Sequence, residues 1–410
     1  MLDVLRQILI FSVPLLLLLT VVVAIHEGGH FLMAKWCRVA IDSFSIGFGK
    51  AIFKWTDKAG VEWKIGWIPL GGYVRFSGDT NEASVPDTDD LEEMRKHVIE
   101  KLGPEKGNEA LNKLYAFKPV WQRALIAAAG PAANFILALA IFFSIFMFLD
   151  TGRTRPVVGE VMKGSPAEAA GFMPGDLIKE VNGREMRDFS DFVVYVSLRA
   201  GDQLNVKVDR AGEELLLTPT LRRIQEKDQL TGAKVKRGQI GIRSDPNAIY
   251  FYRAKNPIEA LDEAGRAVWM RLETTLTYFG RIFQGRENGD QLSGVVGMAG
   301  VTGAVTKATI SESNGSVGTF LTAFFFRMIQ ITASISIAVG FVNLLPVPVL
   351  DGGHLAFYAY EAAFRRPMAA KVQAASFKVG LALVLALMLF ATWNDLQRYD
   401  AFRFIGGLIS

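Results

Sequence analysis

Four uncharged apolar runs limit what this chain can fold into: Gln7–Ile25, Ala124–Leu149, Met328–Leu350 and a shorter one, Val379–Asn394. A helix needs about 20 mostly apolar residues to cross the hydrocarbon core of a bilayer, and four such runs are hard to bury in a water-soluble core. Composition agrees, since 50% of the residues are hydrophobic while 21% are charged. That is too apolar for an ordinary soluble protein and too charged for a chain lying wholly in lipid. The expected fold is an α-helical polytopic membrane protein with about four transmembrane helices and sizeable parts outside the bilayer. Arg6 ahead of the first run imitates a signal peptide, but no small-x-small cleavage site follows, and a cut near Ala24 would remove the helix from the histidines beyond it. The run is therefore read as a retained anchor, with Pro14 as a kink that neighbouring helices accommodate.

The formal charge of +4 is small for 410 residues and the basic residues are not clustered, so no nucleic-acid partner is expected. The single cysteine, Cys37, excludes a disulfide within the chain. Lys35, Arg38, Lys118 and Arg123 flank the first two runs on one side, and Arg365, Arg366, Lys371 and Lys378 fill the connection between the last two. The excess of positive charge predicts that both connections are cytoplasmic. Both chain ends and the long Asp150–Ser316 region are then outside the cytoplasm, although Arg153 and Arg155 run against the pattern.

The first run continues into "VVVAIHEGGHFLMAK", which places His26, Glu27 and His30 in an H-E-x-x-H arrangement. On a helix, positions i and i+4 lie on one face about a turn apart. Two imidazoles so placed can hold one Zn²⁺, with the glutamate beside the open coordination position. Ionisable groups at the end of a membrane-length helix are costly and usually functional. The two intervening glycines weaken a helix by about 1 kcal/mol each relative to alanine. Close approach of another backbone explains them, and so does the ordinary tolerance of membrane helices for glycine.

A catalytic zinc site needs a third protein ligand. His97 lies in the charged stretch "LEEMRKHVIEK" and reads as a surface residue of a solvated helix. Asp351 and His354, in "NLLPVPVLDGGH", follow two prolines that break the third run. Spacing alone does not choose between them. A broken helix at membrane depth survives only where protein or a water-filled cavity satisfies its backbone.

With H-E-x-x-H on the first membrane helix and "NLLPVPVLDGG" on a late one, the sequence resembles the site-2 protease (M50) family of intramembrane zinc metalloproteases, in its bacterial RseP-like branch. The resemblance implies His26, His30 and Asp351 as zinc ligands and Glu27 as general base. It implies that Asn343 handles the substrate strand. "GPAANF" matches the family's G-x-x-x-N element, so Gly130 and Asn134 are expected to pack helices closely, as small residues do in membranes. "KIGWIPLGGYVRF" reads as two short strands about a Pro–Leu–Gly–Gly turn. In the family this is a membrane-dipping β-hairpin that meets substrate, which makes Gly71, Gly72 and Tyr73 candidate substrate-binding residues.

Four regions are expected. Residues 1–150 hold the first two membrane helices and the hairpin, 151–225 an inserted α/β PDZ-like domain, 226–316 an amphipathic linker region, and 317–410 the last two membrane helices. The PDZ-like reading rests on short apolar runs between turn signals, with Ser165–Pro166 opening a short helix and Asn182–Gly183 turning a hairpin. There is one such unit, where several relatives in this branch carry two. PDZ domains bind an extended chain or a C-terminus by strand addition. Asn256–Gln284 reads as an amphipathic helix. The Gly-rich "LSGVVGMAGVTGA" lacks the Gly-Lys-Ser/Thr ending of a phosphate-binding loop.

The resemblance implies a protease in the bacterial cytoplasmic membrane acting on single-pass membrane proteins, such as anti-sigma factors and remnant signal peptides. A metal or ion transporter also uses intramembrane His, Asp and broken helices, but no inverted repeat is evident and transport has no use for Glu27. A non-catalytic PDZ scaffold is the third alternative, and the intact set of Glu27, both histidines and Asp351 argues against it.

Overall fold

A computed structural model describes residues 2–78, 88–227 and 234–398. Helix α1, Leu2–Trp36, carries the first apolar run unbroken through His26–His30. Strands β1 (Ile41–Thr56) and β2 (Glu62–Phe76) follow, then α2 (Thr88–Leu102), α3 (Pro104–Leu111) and the long α4 (Val120–Phe148). A run of short elements comes next: β3 (Thr151–Thr154), β4 (Val158–Val161), α5 (Pro166–Ala169), β5 (Leu177–Val181), β6 (Arg184–Glu185) and α6 (Phe189–Ser197). It continues with β7 (Val206–Arg210), β8 (Glu213–Leu217), β9 (Arg222–Lys227), β10 (Lys234–Gln239), β11 (Ile242–Ser244) and β12 (Ile249–Tyr252). Helices α7 (Pro257–Phe283), α8 (Val295–Glu312), α9 (Val317–Asn343), α10 (Asp351–Phe364) and α11 (Ala370–Arg398) complete the chain.

Four helices among the described residues are long and apolar enough to cross a bilayer: Leu5–Trp36, Val120–Phe148, Val317–Asn343 and Ala370–Arg398. The number agrees with the sequence reading and marks a membrane protein. The third helix ends at Asn343, ahead of the two prolines expected to break the run, because Pro346 and Pro348 cannot continue its hydrogen-bond ladder.

The chain divides into two compact units, Met1–Leu139 with Met298–Phe390, and Ala140–Gly297 with Ala391–Ser410. In the first, glycine lets helices touch. A Cβ on Gly29 would lie 2.3 Å from the Ala129 carbonyl of α4, and one on Gly340 3.2 Å from Asn134 Cβ. Such small-residue contacts are how helices associate where lipid is as apolar as leucine. A core of Phe31, Val39, Ile41, Phe44, Phe76, Tyr115, Ile126 and Tyr358 joins the end of α1 to the β-structure and α4.

The hairpin departs from expectation. Pro69–Leu70–Gly71–Gly72 lies inside β2, and the chain reverses at Asp57–Val61. There the Asp57 carboxylate accepts from Ala59 N, Val61 N and Trp63 Nε1, and Gly60 takes φ +86°. A side chain that satisfies three donors outweighs the turn preference of Pro and Gly further on. Ser43–Ile46 is flanked on both edges, by Gly72–Arg75 running oppositely and by Glu62–Ile65 in ascending register.

In the second unit, β6-β5-β7-β8 form one sheet and β11 pairs with β4. Asn182 and Gly183, both at positive φ, turn β5 into β6 as expected of Asn-Gly. Ser165 and Asp188 cap α5 and α6 with their side chains. Val158, Phe172, Ile178, Val181, Phe192, Leu204, Val206, Val208 and Ile240 form its core, so packing runs past residue 225 to Ile240. Burying each such side chain stabilises the unit by about 1.5–3 kcal/mol. The amphipathic helix α7 is capped by Asn256 and lays Arg281 against Asp202, 2.6 Å away.

Candidate active site

α1 presents His26 and His30 on one face, and their Nε2 atoms stand 3.3 Å apart. Asp351, the first residue of α10, meets both, with Oδ2 3.1 Å from His26 Nε2 and Oδ1 3.5 Å from His30 Nε2. Among the described residues these three form a group of donor atoms all within 4.8 Å of one another. His354 is not in the group, and its ring packs on Phe357 and Tyr358. His97 is an exposed residue of α2. Geometry thus separates Asp351 from His354 where spacing does not.

The loop explains Asp351. A Cβ on Gly352 would strike the carbonyls of Leu344 and Leu345 at 2.3 Å, and one on Gly353 would strike Val347 O at 2.3 Å. The two glycines therefore have a packing role. They are the first turn of α10, stripped of side chains so that the Leu344–Leu350 loop folds over it. Asp351 consequently sits at a helix N-terminus, where a carboxylate is favoured.

The donor set fits zinc. Ligands about 2.0–2.2 Å from a tetrahedral Zn²⁺ stand roughly 3.3 Å from each other; the two imidazole nitrogens here are 3.3 Å apart, and the two carboxylate oxygens of Asp351 lie 3.1 Å (Oδ2 to His26) and 3.5 Å (Oδ1 to His30) from them. Gly130 keeps the space open, because a Cβ there would lie 2.2 Å from His30 Nε2 and 2.9 Å from His26 Nε2. Two imidazoles and one carboxylate leave a fourth position free, which is the pattern of catalytic rather than structural zinc. His30 Nδ1 donates to the Ile126 carbonyl at 2.8 Å, which leaves its Nε2 lone pair for the metal.

The remaining predicted residues fall around this cluster. Glu27 adjoins Gly72, where a Cβ would come 2.9 Å from Glu27 Cγ. Asn343 ends α9 with Nδ2 3.5 Å from His26 Nε2. Gly71 abuts the Phe48 ring, on which Tyr73 stacks at 6.5 Å. Asn134, expected at a close helix contact, is fully buried with Nδ2 3.1 Å from His26 Nδ1.

Two features escape sequence reasoning. The Ile126 carbonyl is a backbone group and leaves no trace in residue identity. A second network ties α10 down beyond the cluster. Tyr358 and Tyr115 share a hydrogen bond of 2.8 Å, and Arg123 of α4 reaches Glu361 at 2.6 Å. Their only sequence signal is a pair of polar residues at either side of the apolar runs.

Residues 14–387 match peptidase family M50. The Caulobacter vibrioides protein named metalloprotease MmpA is 47% identical over 403 residues, covering 98% of this chain and 99% of that one. Proteins of Agrobacterium fabrum and Rhizobium meliloti, whose names carry the words "zinc metalloprotease", are 40% and 37% identical, each over 94% of this chain and 96% of its own length. With relatives along nearly its whole length and a donor set fitted to zinc, the chain belongs to peptidase family M50, the site-2 proteases, and is a zinc metalloendopeptidase.

Proposed function

We propose that this enzyme hydrolyses peptide bonds inside the membrane-spanning segments of single-pass membrane proteins. The observation that carries the reading is the site's place in the chain: His26, Glu27 and His30 lie on a helix built to cross the bilayer, and Asp351 follows another such helix directly. A soluble substrate would not require that placement.

The chemistry follows from the geometry. His26, His30 and Asp351 would hold Zn²⁺, which would supply Lewis acidity to polarise a carbonyl and make water acidic near pH 7. Glu27 takes the proton of the attacking water and returns it to the departing amine. Substrate must arrive extended, because a helix hides its amides in its own ladder. The Gly72–Phe76 segment of β2 suits that need. It pairs with β1 on one edge and with no strand on its other edge among the described residues. An unwound substrate adding there gains main-chain hydrogen bonds, with Gly71, Gly72 and Tyr73 beside it and Asn343 donating to it. The exposed Phe53, Trp55, Trp67 and Ile68 of the β-structure support its dipping into lipid.

The α/β unit is read as PDZ-like on its four-stranded sheet, its two capped helices and the "QIGI" turn ahead of β11. It holds a peptide or C-terminus, or excludes substrates with bulky outer domains. A prior cut outside would then license the cut within, as for an anti-sigma factor or a remnant signal peptide. The Lys and Arg pattern supports a bacterial cytoplasmic membrane location with this unit on the far side.

The test is Glu27→Gln in the full chain, with a single-pass reporter in vesicles. Zinc stays at one per chain and the reporter accumulates uncut, a loss of at least about 100-fold. Continued cleavage by the variant, or cleavage by the parent only outside the membrane segment, would overturn the reading.

A further inference from the structure

His30 and His26 meet the metal position through the same nitrogen, and each needs its other nitrogen protonated to do so. For His30 the proton goes to a carbonyl, which can only accept. For His26 the neighbour is the side-chain amide of Asn134, which can accept or donate. With Nδ2 toward the ring at 3.1 Å, the asparagine donates to Nδ1. The imidazole proton then sits on Nε2, where it points at Asp351 Oδ2, 3.1 Å away, and blocks the ligand position. In that arrangement Asn134 Oδ1 is buried with no hydrogen-bond partner. An unpaired buried carbonyl oxygen is costly and calls for an explanation.

Turning the amide by 180° about Cβ–Cγ frees the ligand position and gives Oδ1 a donor, while Nδ2 takes the buried place that Oδ1 held. Oδ1 then faces Nδ1–H and accepts from it, and Nε2 is left with a free lone pair. We propose that Asn134 is a positioning residue that selects the tautomer of His26, its carbonyl oxygen holding the Nδ1 proton so that Nε2 ligates zinc. Its backbone keeps the amide in place. Ser336 Oγ donates to Asn134 O at 2.9 Å, and Gly340 brings α9 within van der Waals range of Asn134 Cβ. The residue does not touch substrate. It acts through His26, as hydrogen-bonded partners of metal-binding histidines generally do.

The inference requires that His26 ligates zinc. It is tested by chelator competition for Zn²⁺ on the full chain in detergent, with thermal unfolding of each zinc-free protein as a control for folding. Asn134→Asp keeps the acceptor and removes the donor, and Asn134→Leu removes both at similar volume. The aspartate variant holds zinc as tightly as the parent or tighter, while the leucine variant loses about 10–100-fold. The proposal is wrong if leucine binds zinc like the parent, or if aspartate falls as far as leucine. Should the leucine variant not fold, the aspartate result decides alone: retained affinity upholds the role and a tenfold loss removes it. A parent that binds no zinc would instead sink the metal site itself, which keeps the two failures distinct.

Discussion

A methyl group at position 130 would intrude on the metal cluster. It would lie 2.2 Å from His30 Nε2, and His30 cannot swing clear without giving up its bond to Ile126. Gly130→Ala is therefore expected to lower zinc affinity at least tenfold and to abolish cleavage, read by metal content after chelator dialysis. Gly28→Ala is the contrasting control. Nothing lies within 4 Å of its would-be Cβ, so its zinc content should match the parent's. If Gly130→Ala retains zinc as well as Gly28→Ala does, the steric account of the cluster fails. The same pair shows what was legible at this scale. H-E-x-x-H named three residues outright, because one helix sets their spacing. The paired glycines did not explain themselves, since Gly29 packs on Ala129 and Gly28 faces open space, a difference set by a helix about 100 residues away in sequence.

Elements place what residues name. Asp351 is useful only if α10 is held in one position, and two contacts beyond it contribute: Tyr358 on Tyr115, two turns on, and Glu361 on Arg123 of α4, three turns on. The Arg123–Glu361 pair is mostly buried, with side chains 14% and 19% exposed, so it counts for more than a surface ion pair. Glu361→Gln is expected to cost about 1.5–3 kcal/mol of stability, the usual worth of a hydrogen bond to a charged group. A double-mutant cycle with Arg123→Gln, read by thermal unfolding, should give a coupling energy of at least about 0.5 kcal/mol. Purely additive losses would show that the pair does not anchor α10. Sequence reading failed at this scale wherever two local signals competed. Pro69–Leu70–Gly71–Gly72 looked like a turn, but Asp57 and Gly60 make the turn with their own hydrogen bonds and backbone angle. Gly352 and Gly353 open a helix against a loop whose packing has no sequence periodicity.

For the whole molecule, the apolar runs were the most legible feature, because a bilayer imposes one length on every crossing helix. The α/β unit was legible in its turns and caps but not in its extent, since Ile240 joins the core from beyond the last strand the pattern resolved. That unit also carries a buried charge pair that contributes to its acid stability. Burial pushes the pKa of Asp176 up, but Arg210 Nε and Nη2, 2.7 and 2.9 Å away, and the Met173 N–H hold it below the ordinary carboxylate value. A folded pKa below the unfolded one, about 3.9, contributes stability that is fully present above that pH. It is lost as pH falls through the folded pKa. Protection of the amides around Asp176, followed by hydrogen exchange in the full chain, should thus be level from about pH 8 down to 5 and decline only below about 4. Arg210→Leu leaves the buried carboxylate with burial as the dominant influence, which reverses the shift. The folded form then favours the protonated acid, and holding the charge destabilises the unit as pH rises through and above the carboxylate range. The variant should therefore be less protected than the parent at pH 7, with the gap narrowing as pH falls through the carboxylate range and closing only below the parent's own lowered pKa, where both carry a neutral Asp176. Parallel profiles for the two proteins would show that Arg210 does not govern the ionisation of Asp176.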